Sequence, residues 1–521
     1  VSKIASLAEE NTPALPLALA TIFAQLTGSI PQTSRAIVLA PVFRAGSRID
    51  FSDKNLSTAC HPDRPAANSN RRRTLLTTAG RIIPGTVILV FVTSLNTLAA
   101  ADQPLALAER LGPGYQYHVS VRVDLTGTLT PPPQPGKSAT PALPFAGDSA
   151  IEYDERILTV DKDGIVQKTA RLCRRTDFRR TIAGQTQQSG LRPAVRRLIV
   201  LRRDNAEVPF SPDGALTRGE IDLIRTDVFT PALTGLLPNR LVQPGDRWTA
   251  TQAAVRELTA LERIDAGTVD CRLEQVTTDG RRVARVTLSG TVRGVNEDGP
   301  NRQTLEGYFS FDLESNHLSY LYLKGVHVLL DKDGRDVGRV EGRFVMNRQA
   351  NTSCPELGDD GLRGAALEPD ADNTLLLYDN AALGVRFLYP RRWRVGAVRG
   401  TQVTLDGADG NGLVLTLDPA DRPPDGKQFL EESRTWLLQQ RGRILREERL
   451  RLVRGDPVLE TFATEAELNG QRFLMDYYVT RQQAGGATLA ARLVPADLEV
   501  ARREVDKLAR SIVISKPGGP R

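Results

Sequence analysis

The sequence predicts an α+β protein in two parts. A mostly antiparallel β domain, a curved sheet or half-barrel with one or two helices, precedes a smaller α/β sandwich. Three observations predict it. In "YQYHVSVRVDL" (residues 115–125), Tyr115, Tyr117, Val119, Val121, Val123 and Leu125 alternate with polar residues, the period-two pattern of a half-buried strand. The tetrapeptide DKDG occurs at 161–164 and again at 331–334, between apolar runs, as hairpin turns do. Near the end of the chain Leu498, Ala501, Val505, Leu508 and Ile512 recur at helical spacing, so a helix lays one apolar stripe on a sheet.

Taken in chain order, residues 1–67 show no pattern and are read as non-globular, with the translated start expected near residues 55–71. Residues 68–101 hold Arg71, Arg72 and Arg73, an apolar run from Ile82 to Leu98, and then Ala99, Ala100 and Ala101 before Asp102. That is the order of a secretory signal, with cleavage between Ala101 and Asp102. The apolar core is short for a membrane span of about 20 residues. An uncleaved anchor over 82–101, with the arginines inside, is the alternative. The protein is thus expected to be exported, periplasmic or otherwise extracytoplasmic, or else tethered to the membrane by that segment.

The β domain is assigned to 102–350. After the first strand comes a proline-rich loop, "LTPPPQPGKSATPALP", unsuited to a sheet. Strands are expected at 151–160, 165–171, 195–202, 283–292, 307–313, 317–323 and 326–330. Thr217 and Glu220 form a capping box before "IDLIRTDVF", so a helix starts there; a second short one is expected over 253–263. Residues 351–373 contain Gly, Pro and acids without period and read as a linker. The second domain spans 374–516, with strands at 402–405, 412–417, 457–464, 472–480 and 488–494, a helix over 426–440 that buries Phe429, Leu430, Trp436 and Leu437, and the closing helix.

Composition narrows function only by exclusion. Arginine supplies 58 of the 68 basic residues, and the formal net charge is +6. The densest basic stretches are "RLCRRTDFRR" (171–180) and "RPAVRRLIVLRR" (192–203); the second alternates with apolar residues, as strands with a charged solvent face do. An anionic envelope surface is the competing partner; nucleic acid is not expected of an exported protein. The four cysteines contain no C-x-x-C pair. Cys173 and Cys271 fall in one domain, where an oxidising compartment would allow a disulfide.

The second domain resembles the PsbP-like family of extracytoplasmic domains. The residues that carry this are "LGVRFLYPRRWRV" (383–395) with Tyr389, Pro390 and Trp393, the helix around Trp436, and the ending "VDKLARSIVI". The resemblance implies a binding or assembly module without catalytic residues, and a structural role for the motif. More faintly, "LLPNRLVQPGDRW" (236–248) is similar to envelope proteins of the lipoprotein-carrier type, which implies a half-barrel able to hold a lipid. Tyr115, Tyr117 and Trp248 are then core residues or cavity wall.

Chemical motifs fail on their spacing. "PGKS" lacks the first glycine of a phosphate loop, and the DKDG turns lack the glutamate a calcium loop carries at its twelfth position. No G-x-S-x-G or H-E-x-x-H occurs. His118, His317 and His327 are scattered and read as surface or strand-face residues. Glu152 and Asp154 share a strand face. No catalytic residue, metal or cofactor is expected. The reading is a non-catalytic exported envelope protein that binds an apolar ligand, such as a lipid, or an envelope protein partner; the alternative is an assembly protein with no small ligand. An apolar cavity would favour the carrier, a solid core the assembly module, and close buried carboxylates an enzyme.

Overall fold

The alternation at 115–125 becomes the first long strand of a twelve-stranded antiparallel sheet in the computed structural model, which describes residues 103–130, 141–203, 206–296, 299–407, 410–468, 470–516 and 518. The predicted signal, including Ala101 and Asp102, lies outside the described residues. The strands are β1 (Gln116–Leu129), β2 (Leu143–Val160), β3 (Val166–Ile182), β4 (Arg197–Arg203), β5 (Ala206–Phe210), β6 (Arg247–Thr249), β7 (Arg263–Thr277), β8 (Val283–Asn296), β9 (Gly299–Asp312), β10 (His317–Leu330) and β11 (Asp336–Ala350). Their order across the sheet is β6-β7-β8-β9-β10-β11-β1-β2-β3-β4-β5, with Gln185–Ser189 paired to β3. Two meanders therefore meet where β11 pairs with β1, in the register Tyr117 opposite Ala350 and Val121 opposite Met346.

Both DKDG turns are hairpins, linking β2 to β3 and β10 to β11. In each the first aspartate accepts backbone N–H bonds two and four residues on, Asp161 from Asp163 and Ile165 and Asp331 from Asp333 and Arg335. The glycine sits at φ 78° in both, a conformation that side chains with a Cβ resist. One face of the sheet is the core side: Tyr117, Val119, Val121, Val123 and Leu125 are buried along β1. Against it pack α1 (Arg218–Ile224), a 3-10 segment Thr230–Leu236, and α2 (Gln252–Thr259). The capping box at Thr217 and Glu220 forms as expected. The second helix stops at Thr259, because Ala260 turns to φ 49° and the chain enters β7.

The predicted linker is a packed strap. Cys354, Leu357 and Leu362 are buried with Ala170, Ile199 and Phe210 on the other face of β3, β4 and β5. Arg156 and Arg197 donate to the carbonyls of Leu357 and Gly361, both at 2.8 Å. This explains why Leu198, Ile199 and Val200 are all buried: that end of the sheet is covered on both faces.

The C-terminal region contains β12 (Leu376–Asn380), β13 (Val385–Tyr389), β14 (Arg394–Arg399), β15 (Gln402–Asp406), β16 (Gly412–Asp418), α3 (Gly426–Gln439), β17 (Arg443–Glu447), β18 (Leu459–Leu468), β19 (Gln471–Gln482), β20 (Gly485–Leu493) and α4 (Leu498–Arg510). An eight-stranded sheet runs β14-β15-β16-β20-β19-β18-β17, with Arg451–Val453 also on β18. Along β19, Tyr477 packs in the cluster of α3, with Phe429 and Phe462, while Tyr478 packs in that of α4, with Val505 and Leu508. Successive strand residues point to opposite faces, so the helices cover opposite faces of the sheet. A small sheet joins the two regions, with Leu216–Thr217 running parallel to β12, and one buried cluster draws residues from both, from Leu105 to Ile512. No helix among the described residues is long and apolar enough to cross a membrane.

Candidate functional site

The interior of the β domain holds charge where a carrier would hold lipid. Arg171 on β3 is buried, and its Nε donates to Glu155 Oε1 on β2 at 2.6 Å. Its Nη1 reaches Asp227 Oδ2 at 3.2 Å, on the turn after α1. The Tyr117 hydroxyl donates to Glu155 Oε2 in a short bond, and Thr230 Oγ1 donates to the same oxygen at 2.9 Å. The guanidinium also stands 4.7 Å from the ring centre of Tyr153. Arg348 pairs with Glu109 and lies 4.6 Å from the Tyr117 ring centre. Arg202 meets Glu257 of α2 at 2.6 Å.

The electrostatics follow from burial and pairing. Burial pushes the Asp227 carboxyl up to about 6 against the pull of Arg171. Burial also opposes ionisation of Glu155, but Arg171, Tyr117 and Thr169 outweigh it and hold that carboxyl below its ordinary value. The Arg171 guanidinium is raised by Glu155, Tyr153 and Asp227 despite its own desolvation. Two close buried carboxylates are thus present, but one arginine bridges them. The cavity beside them, lined by Ile151, Tyr153, Arg171, Cys173 and Asp227 among others, measures about 20 Å³. That is room for about one water molecule and for no lipid.

The residues expected to form a disulfide do not. Cys173 and Cys271 are free thiols. Each is buried in the apolar core, Cys173 opposite Tyr153 on β2 and Cys271 between Trp248 and Leu288. Burial pushes both thiols up to about 12. The rings of Tyr115 and Tyr117 lie tilted at 5.7 Å between centres, and Trp248 packs against the core while its Nε1 donates to the Leu236 carbonyl at 2.8 Å. Pro390 follows β13, and Trp393 Nε1 donates to Glu504 Oε2 of α4 at 2.8 Å. Tyr389 and Trp393 are buried and join the motif to the closing helix.

Two histidines lie on strand β10 and are buried rather than exposed. His327 is fully buried, which pushes it down to about 3 and keeps it neutral. His317 is buried, and its Nε2 lies 3.2 Å from the Arg348 carbonyl. His118 is on the strand face as expected, 2.9 Å from Asp154 and 3.4 Å from Glu152. Among the described residues no cluster of His, Cys, Asp and Glu has the form of a metal site.

A roomier concavity lies in the second domain, a groove of about 350 Å³ between α4, β18, β19 and the strand Arg451–Val453. Its floor is Asp476, buried and bonded to Arg502 Nε at 3.0 Å. Burial pushes Asp476 up to about 6, with Glu448 and Asp506 adding to the effect of desolvation and Arg502 opposing it. Arg502 also reaches Glu448 at 3.3 Å, and Arg510 holds Asp506 at 2.7 Å. Arg451 and Arg503 stand exposed at its mouth. Sequence reasoning missed this groove, because the helix pattern near 498–512 shows only the buried stripe and not what the polar face meets.

No family model and no curated protein matches the chain. Among solved structures, a cyanobacterial PsbP from Synechocystis sp. PCC 6803 aligns over 27% of this chain and 92% of its own, at 16% identity and a TM-score of 0.22. A structure of lipovitellin, described for its lipid–protein interactions, aligns over 53% of this chain at 10% identity and a TM-score of 0.26; the match spans 28% of the lipovitellin chain. By its own strands and helices the molecule is a β-rich, largely antiparallel α+β protein.

Proposed function

We propose that this is a non-catalytic, exported protein of the cell envelope that acts by docking another protein rather than by carrying an apolar ligand. One observation carries the choice. The concave face where a lipid would sit is filled by the protein's own side chains, cross-linked by the Arg171–Glu155–Asp227 network, and leaves a cavity of about 20 Å³. Ligand pockets run from about 300 Å³ upward. The same network supports a non-catalytic reading, since its carboxylates are bridged by arginine and sealed from any substrate. Export rests on the arginine-flanked apolar stretch at 71–101.

Native mass spectrometry of the protein recovered from the host envelope, with in-cell cross-linking of the same strain, tests this. The expected result is a mass beginning at Asp102 without adduct, and cross-links to one or a few envelope proteins. A stoichiometric lipid-sized adduct would restore the carrier reading. A cytoplasmic protein of full mass would overturn export.

A further inference from the structure

We propose that the arginine-rich edge at residues 441–454, together with the groove it borders, is a docking site for an acidic, extended segment of a partner protein; this rests on the docking reading above and names the class of partner. Residues 441–454 contain six arginines and two glutamates. All six arginines are exposed. Arg443 is paired to Glu467 at 3.0 Å and Arg451 to Glu448 at 3.1 Å. Arg446, Arg449 and Arg454 make no ion pair among the described residues. Positive charge left unneutralised on one edge is a field that attracts and orients an anionic partner.

The edge also has the right backbone. β17 and Arg451–Val453 both pair with β18 on one side, and no strand among the described residues pairs with them on the other. An extended peptide adds to such an edge through main-chain hydrogen bonds. Leu452 points outward at 64% exposure between two basic positions and gives such a peptide an apolar contact. Charged residues also protect free edges from aggregation, but protection does not call for a concavity. Here the edge opens, at Arg451 and Val453, on a groove of about 350 Å³ whose lining sets Arg502, Arg503 and Arg510 against Asp476, Glu499 and Asp506. A cationic edge beside a concave, polar-lined groove fits a projecting acidic chain better than a flat bilayer.

The test uses the full chain, a labelled oligoglutamate peptide, a labelled oligolysine control, and phosphatidylcholine vesicles doped with phosphatidylglycerol. Wild type is expected to bind oligoglutamate and not oligolysine, with affinity falling as salt approaches about 0.15 M. Arg446→Glu with Arg449→Glu and Arg454→Glu is expected to weaken oligoglutamate binding about ten-fold or more at an unchanged Tm. The matching glutamine triple should show a smaller loss, which separates charge from folding. Equal affinity in wild type and the glutamate triple, or no oligoglutamate binding by wild type, overturns the proposal. Vesicle binding that the triple abolishes, without peptide binding, overturns it in favour of a membrane face. If in-cell cross-links to envelope proteins persist in the triple variant, the docking reading stands and this site falls.

Discussion

Replacing Arg171 by methionine isolates what the interior network contributes. Methionine fills much of the same volume, so the change removes charge more than packing. The guanidinium bridges Glu155 at 2.6 Å and Asp227 at 3.2 Å, and all three side chains are at most 4% exposed. Without it two carboxylates face each other unpaired in the core. Breaking a buried pair from one side costs about 3–5 kcal/mol. That is a large part of the 5–15 kcal/mol by which a typical domain is stable. The assay is urea unfolding, with hydrogen exchange by mass spectrometry to place the loss in β1, β2 and β3. Adding Glu155→Gln and Asp227→Asn to the methionine variant should return much of that stability, since neutral groups no longer repel. A loss below about 1 kcal/mol in the single variant, or no recovery in the triple, would refute the claim that Arg171 neutralises the interior.

Further outcomes follow from other contacts. Asp227 has its folded carboxyl raised to about 6 from 3.8. Its contribution is therefore fully present below pH 3.8 and lost as pH rises through about 6. At about 1.36 kcal/mol per unit, Asp227→Asn should gain about 3 kcal/mol on wild type between pH 4 and pH 8 in paired urea melts; a parallel pair of stability curves would contradict it. Cys173 and Cys271, buried free thiols held up to about 12, should resist alkylation in the native protein and react in denaturant without reductant. A mass two hydrogen atoms short at that pair would show a bond instead. Trp393→Phe removes the donor to Glu504 Oε2 and should cost about 1–3 kcal/mol in urea melts. Gly267→Ala should cost more than about 1 kcal/mol, because Gly267 has φ 94° and a Cβ there would lie 2.0 Å from the Thr291 carbonyl oxygen.

What was legible in the sequence was local. The capping box from Thr217 to Glu220 is four residues long and is satisfied by its own atoms. The alternation at 115–125 and the two DKDG hairpins likewise state their geometry within a dozen residues. Strands β7 and β11 were not foreseen. β7 buries Val269, Cys271 and Leu273 but is otherwise mostly exposed. β11 spreads Val340, Phe344 and Met346 among glycines and charges. Each depends for its pairing on neighbours that are already long and regular, so the sheet supplies what the pattern lacks.

The candidate sites were hidden for a sharper reason. "RLCRRTDFRR" is a dense run of charge with no alternation to say which arginine is inside, and charge on a strand ordinarily points to water. Arg171 instead points into the core, since its partners arrive from far along the chain, Glu155 at a separation of 16 residues and Asp227 at 56. The same holds for the strap at 351–373: Leu357 and Leu362 have no period of their own, and they are buried because Ala170, Ile199 and Phe210 offer a second apolar face to cover. A pattern in one segment says which of its faces is apolar. Whether a charge on the other face meets water or a counter-charge is a property of the pair, and only the fold brings the pair together. An arginine that breaks its strand's alternation is therefore a reason to look for distant carboxylates, and here that search leads away from a carrier's cavity and toward a sealed core with its working surface outside.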